Sequence, residues 1–138
     1  GFNTASKYHR ADFLSVSERE IRLDMRTRSR ELRDVVTEVA EKLDCNQIVI
    51  TRGQEGCLGY DRKHGFVEVP ALATEVVDRV GAGDAVFSAA AVCTVQGAPI
   101  DIVGFIGNAA GARAVATMGH RDSTDTLALI RQIETMMK

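Results

Sequence analysis

The stretch Gly81-Ala82-Gly83-Asp84 runs without a break into the apolar segment "AVFSAAAVCTVQG", and this junction constrains the fold more than any other feature of the chain. Two glycines let a backbone turn tightly and come close to a ligand. The first N–H groups of the helix that follows have no partner within it and point at whatever lies in front of the turn. A helix dipole adds roughly half a positive charge there, so the junction predicts an anion site suited to phosphate oxygens. Asp84 is out of place in such a site unless it has a task, and a general base that takes a proton from an attacking hydroxyl is one. A second reading of the same four residues stays open: Asp84 caps the helix or complements its dipole. Two other glycine-loop chemistries fail on spacing. No Gly-Lys-Ser/Thr ends the loop, and Val86 stands where a dinucleotide fingerprint needs Gly or Ala.

The rest of the chain supplies the layers such a turn needs. "DFLSVS" (Asp12–Ser17) reads as a buried parallel strand, and the charged "EREIRLD" after it as a helix start. In "RSRELRDVVTEVAEKLD", Leu32, Val35, Val36, Val39 and Leu43 recur at three- and four-residue intervals, one face of an amphipathic helix. "QIVITRG" (Gln47–Gly53) is a β-branched strand, and "GCLGYDRKHGFVEVP" reads as a hairpin with "RKHG" at its tip and Pro70 closing it. "ATEVVD" is a short extended piece leading to the glycine turn. Gly97 stops the helix after the turn, and Pro99 sits where another can start. The next helix, in "PIDIVGFIGNAAGARAVATMG", is so rich in Ala and Gly that its backbone must lie close against neighbours on more than one side. "STDTLALIRQIETMMK" closes the chain, with Leu127, Ile130, Ile133 and Met137 on one face. The order strand, helix, strand, hairpin, strand and three helices predicts an α/β fold with at least one parallel crossover.

With 138 residues, 45% of them hydrophobic, the chain can build one compact core. A net charge of −2 and no basic stripe interleaved with aromatics argue against nucleic acid and for a small-molecule ligand. Cys45, Cys57 and Cys93 lack the spacing of a zinc or redox site and read as buried thiols of a reducing compartment. No stretch is apolar for long enough to span a bilayer and the first residues hold no signal-peptide core, so the expectation is a cytoplasmic protein without membrane partners. The "RTRSR" run reads as a solvated face, and the three histidines show no ligand spacing.

Beyond these derivations, "VVDRVGAGDAVFSAA" resembles the second signature of the PfkB (ribokinase-like) carbohydrate kinases, D-T-x-G-A-G-D-x-F. Asp78, Gly81, Ala82, Gly83 and Asp84 fit it, Phe87 fits one place displaced, and Arg79 stands where Thr is usual. "ITRGQEG" is similar to the family's T-x-G-x-x-G loop through Thr51, Gly53 and Gly56. "VSERE" is similar to its N-x-x-E region, with Glu20 on the acid and Ser17 in place of Asn. "GNAAGARAVATMG" resembles the Ala-rich helix whose Asn, here Asn108, lies near adenine. Singly, each has a plainer reading: a strand-to-hairpin turn, an acid in a helix's first turn, an amide bonding across a packed interface.

The resemblance implies the C-terminal portion of a ribokinase-like three-layer α/β/α sandwich that transfers phosphate from ATP to an alcohol of a sugar or sugar phosphate. In it, Asp84 is the base and Gly81, Ala82 and Gly83 form the anion hole. ATP lies along Ser17, Thr51, Arg52, Gly53, Gln54, Glu55 and Gly56, reaching Gly83 and Asn108. Glu20 organises Mg²⁺ through water, and Asp78, Val80, Ala114, Thr117, Gly119 and Ser123 correspond to a monovalent-cation (K⁺) loop. The family's first half, with its sugar signature and lid, is expected to precede "GFNTASKY", so residues 1–138 form a partial kinase domain with little activity alone. An unpaired sheet edge would then predict a homodimer or a larger parent chain. "GFNTASKY" and "VVDRVGAGDAV" look most like the kinase halves of bifunctional sugar kinase/nucleotidyltransferases of the heptose-phosphate type. The alternatives are a non-catalytic nucleotide-binding or assembly module of this fold, or a vitamin-precursor kinase.

Overall fold

A computed structural model describes residues 4–73, 77–78, 80–116 and 126–136. Its strands are β1 (Phe13–Ser17), β2 (Gln47–Thr51), β3 (Cys57–Asp61) and β4 (Gly65–Val69). The helices are α1 (Glu18–Asp24), α2 (Leu32–Lys42), α3 (Ala82–Val95), α4 (Ile100–Val115) and α5 (Thr126–Met136). The strands form one sheet in the order β1-β2-β3-β4. β1 and β2 are parallel, joined by the expected crossover, while β2–β3 and β3–β4 are antiparallel.

Alternation along β2 sends its side chains to two cores. Ile48 and Ile50 meet Val35, Val36 and Val39 of α2 and Ile21 of α1. Val49 faces the opposite way, into a core with Val86 and Ala90 of α3 and Ile100 and Val103 of α4. All three β2 residues are fully buried, as a strand covered on both faces must be. The architecture is the three-layer α/β/α sandwich.

The helix expected after β1 is two helices. α1 ends where the amides of Arg26 and Thr27 bond back to the carbonyls of Leu23 and Arg22, with Arg26 at φ +50°. α2 ends the same way, Asp44 and Cys45 reaching Glu41 and Ala40 with Asp44 at φ +46°. α3 ends likewise at Gly97, φ +73°. Only the last of these stops uses the residue that favours left-handed backbone.

One other expectation needs correction, and one falls partly outside the described residues. In "ATEVVD", residues 74–76 lie outside the described residues, and Val77 and Asp78 join no strand. In α5, Leu129 and Ile133 face Ala109 and Ala110 of α4, whereas Leu127 and Ile130 are exposed. The packed stripe therefore runs from Leu129 to Ile133, one turn apart. Met137 lies outside the described residues.

Candidate active site

Gly81, at φ +81°, is the N-cap of α3. The helix ladder begins with the Ala85 N–H donating to the Gly81 carbonyl at 3.0 Å. The amides of Ala82, Gly83 and Asp84 thus precede the ladder, and no side chain caps this end. Asp84 is therefore not a capping residue. Its side chain is exposed and has no hydrogen-bond or ion-pair partner among the described residues. A Cβ at Gly83 would meet nothing within 4 Å, so the space beside this residue is open.

Two contacts hold the turn in place. Ahead of it, the amides of Val77 and Asp78 both donate to the Val115 carbonyl, at 2.7 and 3.0 Å, and the Asp78 carboxylate accepts the Val80 N–H at 2.9 Å. Behind it, α4 comes so close that a Cβ on Gly111 would lie 2.6 Å from Val86 Cγ2. The Gly- and Ala-rich composition of α4 thus lets it press α3 forward without side chains intervening.

Across from the turn, Ser17 caps α1. Its hydroxyl and N–H donate to Glu20 Oε2 at 2.6 and 3.1 Å, and the Glu20 N–H donates to Ser17 Oγ at 3.3 Å. This is a reciprocal capping box. Its S-x-x-E signal stands in the sequence, where it is equally the pattern matched to N-x-x-E. Ser17 is the register partner of Thr51, so the start of α1 and the loop after β2 leave neighbouring strand ends.

In that loop Arg52 N–H donates to the Gly56 carbonyl at 2.8 Å. A Cβ placed on Gly53 (φ +60°) would meet nothing within 4 Å, whereas one on Gly56 (φ +84°) would sit 2.0 Å from the Val69 carbonyl oxygen. Gly56 is thus demanded by the end of β4. The Arg52 guanidinium donates from Nε to Glu18 Oε2 at 3.1 Å and pairs through Nη2 with Glu55. Glu18 also accepts from Arg22 at 2.7 Å. Burial alone would raise the Glu18 pKa, but the two arginines outweigh it and hold the carboxyl below its ordinary range. Sequence reasoning missed Glu18, because its pairing depends on the β1–β2 register.

A cavity of ≈ 550 Å³ brings Ser17, Glu20, Thr51, Gly83 and Asp84 to one surface. Phe13 of β1 and Phe87 of α3 add an aromatic wall, their rings stacked at 6.1 Å. The loop residues Arg52, Gly53, Gln54, Glu55 and Gly56 do not line it, nor does Asn108. The Asn108 amide instead donates to the Pro70 carbonyl at 2.6 Å, tying α4 to the end of β4. Of the cation-loop residues, Asp78 and Ala114 are brought near each other by the Val115 contacts and Val80 is exposed, while Thr117, Gly119 and Ser123 lie outside the described residues, as does Arg79.

Open space at Gly53 and Gly83 fits a phosphate chain lying against backbone. No group of three His, Cys, Asp or Glu side chains among the described residues could cage a metal. Glu20, with Oε1 free of described partners, suits a cation held mainly by phosphate oxygens and water. Among the described residues, no helix is long and apolar enough to cross a membrane.

Comparison with known proteins places the chain by family and fold. The family described as pfkB family carbohydrate kinase matches residues 4–127. The bifunctional protein HldE of Bradyrhizobium diazoefficiens is 33% identical over 115 residues, covering 81% of this chain and 23% of its own. Phosphofructokinase-2 from Escherichia coli, in complex with substrates and products, superposes with a TM-score of 0.80 at 19% identity, over 96% of this chain and 43% of that one. Arabidopsis thaliana ribokinase, complexed with ribose and ATP, gives a TM-score of 0.68 at 25% identity, over 78% of this chain and 36% of that one. The chain spans about a quarter of the bifunctional relatives' length and under half of the solved kinases'.

Proposed function

The chain belongs to the pfkB family of carbohydrate kinases, and from that premise we propose that it carries the phosphate site and base of an ATP-dependent kinase acting on a sugar or sugar-phosphate hydroxyl. The observation that carries this reading is the uncapped start of α3: amides and an Asp84 carboxylate without partners among the described residues, opening on a cavity shared with Glu20 and Thr51.

ATP with Mg²⁺ would supply the transferable phosphoryl group and the positive charge across its oxygens. Asp84 would take the proton of the acceptor hydroxyl as its oxygen attacks the terminal phosphorus in line, while the bond to the bridging oxygen breaks and ADP leaves with that electron pair. The amides of Ala82, Gly83 and Asp84 hold the charge that grows on the transferred oxygens. Thr51 and the open backbone at Gly53 would hold the phosphate chain and Glu20 would orient the cation through water, while the assignment of Asn108, whose amide is bonded to Pro70, to the adenine rests on the resemblance alone. The K⁺ assignment rests on the resemblance alone.

The chain is proposed as the nucleotide-binding half of its domain, with the acceptor pocket supplied by the rest of a longer protein or a second copy. Similarity to HldE favours a bifunctional sugar kinase parent of the heptose-phosphate type. In the full-length protein, Asp84→Asn should lower kcat by about two to four orders of magnitude while ATP binding persists. An Asp84→Asn protein that turns over normally would reduce Asp84 to a partner of the helix dipole and overturn the reading.

A further inference from the structure

Arg52 sits between two carboxylates that differ in how firmly they are held. Glu18 is half-buried in the first turn of α1 and is fixed from the other side by Arg22. Glu55 is 66% exposed at the tip of the loop, on the short turn Gly53–Glu55. The guanidinium thus has one anchored edge, Nε on Glu18, and one edge on an anion that is free to leave. Exposed ion pairs are weak and exchange readily.

Resting on the nucleotide reading of this loop, we propose that Glu55 is a built-in stand-in for a nucleotide phosphate: it occupies Arg52 Nη2 in the empty loop and is displaced when a polyphosphate enters, while Glu18 keeps the guanidinium aimed. Glu55 is then an internal competitor, and Arg52 a phosphate-reading residue of the loop. A planar guanidinium is suited to this exchange, since carboxylate and phosphate oxygens present it with the same geometry. Apparent affinity falls by the fraction of loops in which Arg52 is occupied. Removing the competitor should therefore tighten binding of phosphorylated ligands, the opposite of what the loss of a binding residue does.

The test is calorimetric titration of the full-length protein with ATP, ADP and adenosine, with melting temperatures to verify folding. Glu55→Gln should bind ATP and ADP about two- to fivefold more tightly, the range an exposed pair allows, and leave adenosine unchanged. Arg52→Gln should weaken ATP and ADP about tenfold or more, again sparing adenosine. In the Arg52→Gln background, Glu55→Gln should have no further effect. If it still tightened ATP there, plain repulsion between Glu55 and the phosphates would be the cause and the proposal would fail. It would fail equally if Glu55→Gln left ATP unchanged or weaker, or tightened adenosine as well. If the unaltered protein bound none of the three ligands, the nucleotide reading itself would fall and take this proposal with it.

Discussion

Two helices begin on the same cavity, and they begin differently. α1 closes its own end: Ser17 and Glu20 satisfy one another's backbone amides through Glu20 Oε2, so what this end turns to the cavity is a carboxylate oxygen rather than amides. α3 opens with glycine on either side of Ala82, no side-chain cap, and an acid that bonds to nothing described. The difference extends into the layers behind. α1 and α2 rest on the bulky side chains Ile21, Val35, Val36 and Val39, whereas α3 rests on Gly107 and Gly111 of α4. Bulk fills the layer behind α1 and α2, and smallness is concentrated behind the helix whose start is proposed to meet phosphate. The exposed amides at the start of α3 are left to water or to a guest, and the proposed phosphate site rests on that.

Substitutions can break this contrast from either side. The largest stability effect is expected at Gly111→Ala, where the new methyl presses on Val86. It should cost about 1–3 kcal/mol in denaturant unfolding and lower kcat beyond the loss of folded protein, because the start of α3 is displaced. Pairing it with Val86→Ala should restore much of both. Ser17→Ala should cost about 1 kcal/mol by opening the start of α1, a loss read from the unfolding midpoint. The smallest effect is in the acid limb. The folded-state pKa of Glu18 lies below its ordinary value of 4.5, so its contribution is complete above that pH and is lost as pH falls through the lowered value. Glu18→Gln should flatten this part of the acid-unfolding profile, and an unchanged profile would remove Glu18 from the stabilising set.

Much of this can be read from residues alone. The parallel β1–β2 crossover follows from an apolar run, a 3.6-residue stripe and a β-branched strand, and the hairpin from its turn and Pro70. The close approach of α4 follows from its glycines and alanines. The stop at Gly97 is legible for the same reason that the break after α1 is not. The chain makes the same left-handed exit at Arg26, Asp44 and Gly97, and only glycine advertises it. The face of α5 escapes the sequence because two stripes, through Leu127 and Ile130 or through Leu129 and Ile133, fit one turn of helix equally well until α4 chooses. At the site, the glycine turn, Asp84, Glu20 and Thr51 are visible as motifs. The Arg52–Glu18 pair and the Phe13–Phe87 wall are not, since they exist only once strands and helices are docked.

The carbonyl of Val115 has a consequence for how this chain can vary. Accepting two amides from the segment ahead of the turn, it hangs that segment from the far end of α4. One inserted or deleted residue within α4 would swing this oxygen by about 100° around the axis and release the segment. Exchanges of one side chain for another on the outward surface of α4 should pass with little notice, whereas changes in its length should not.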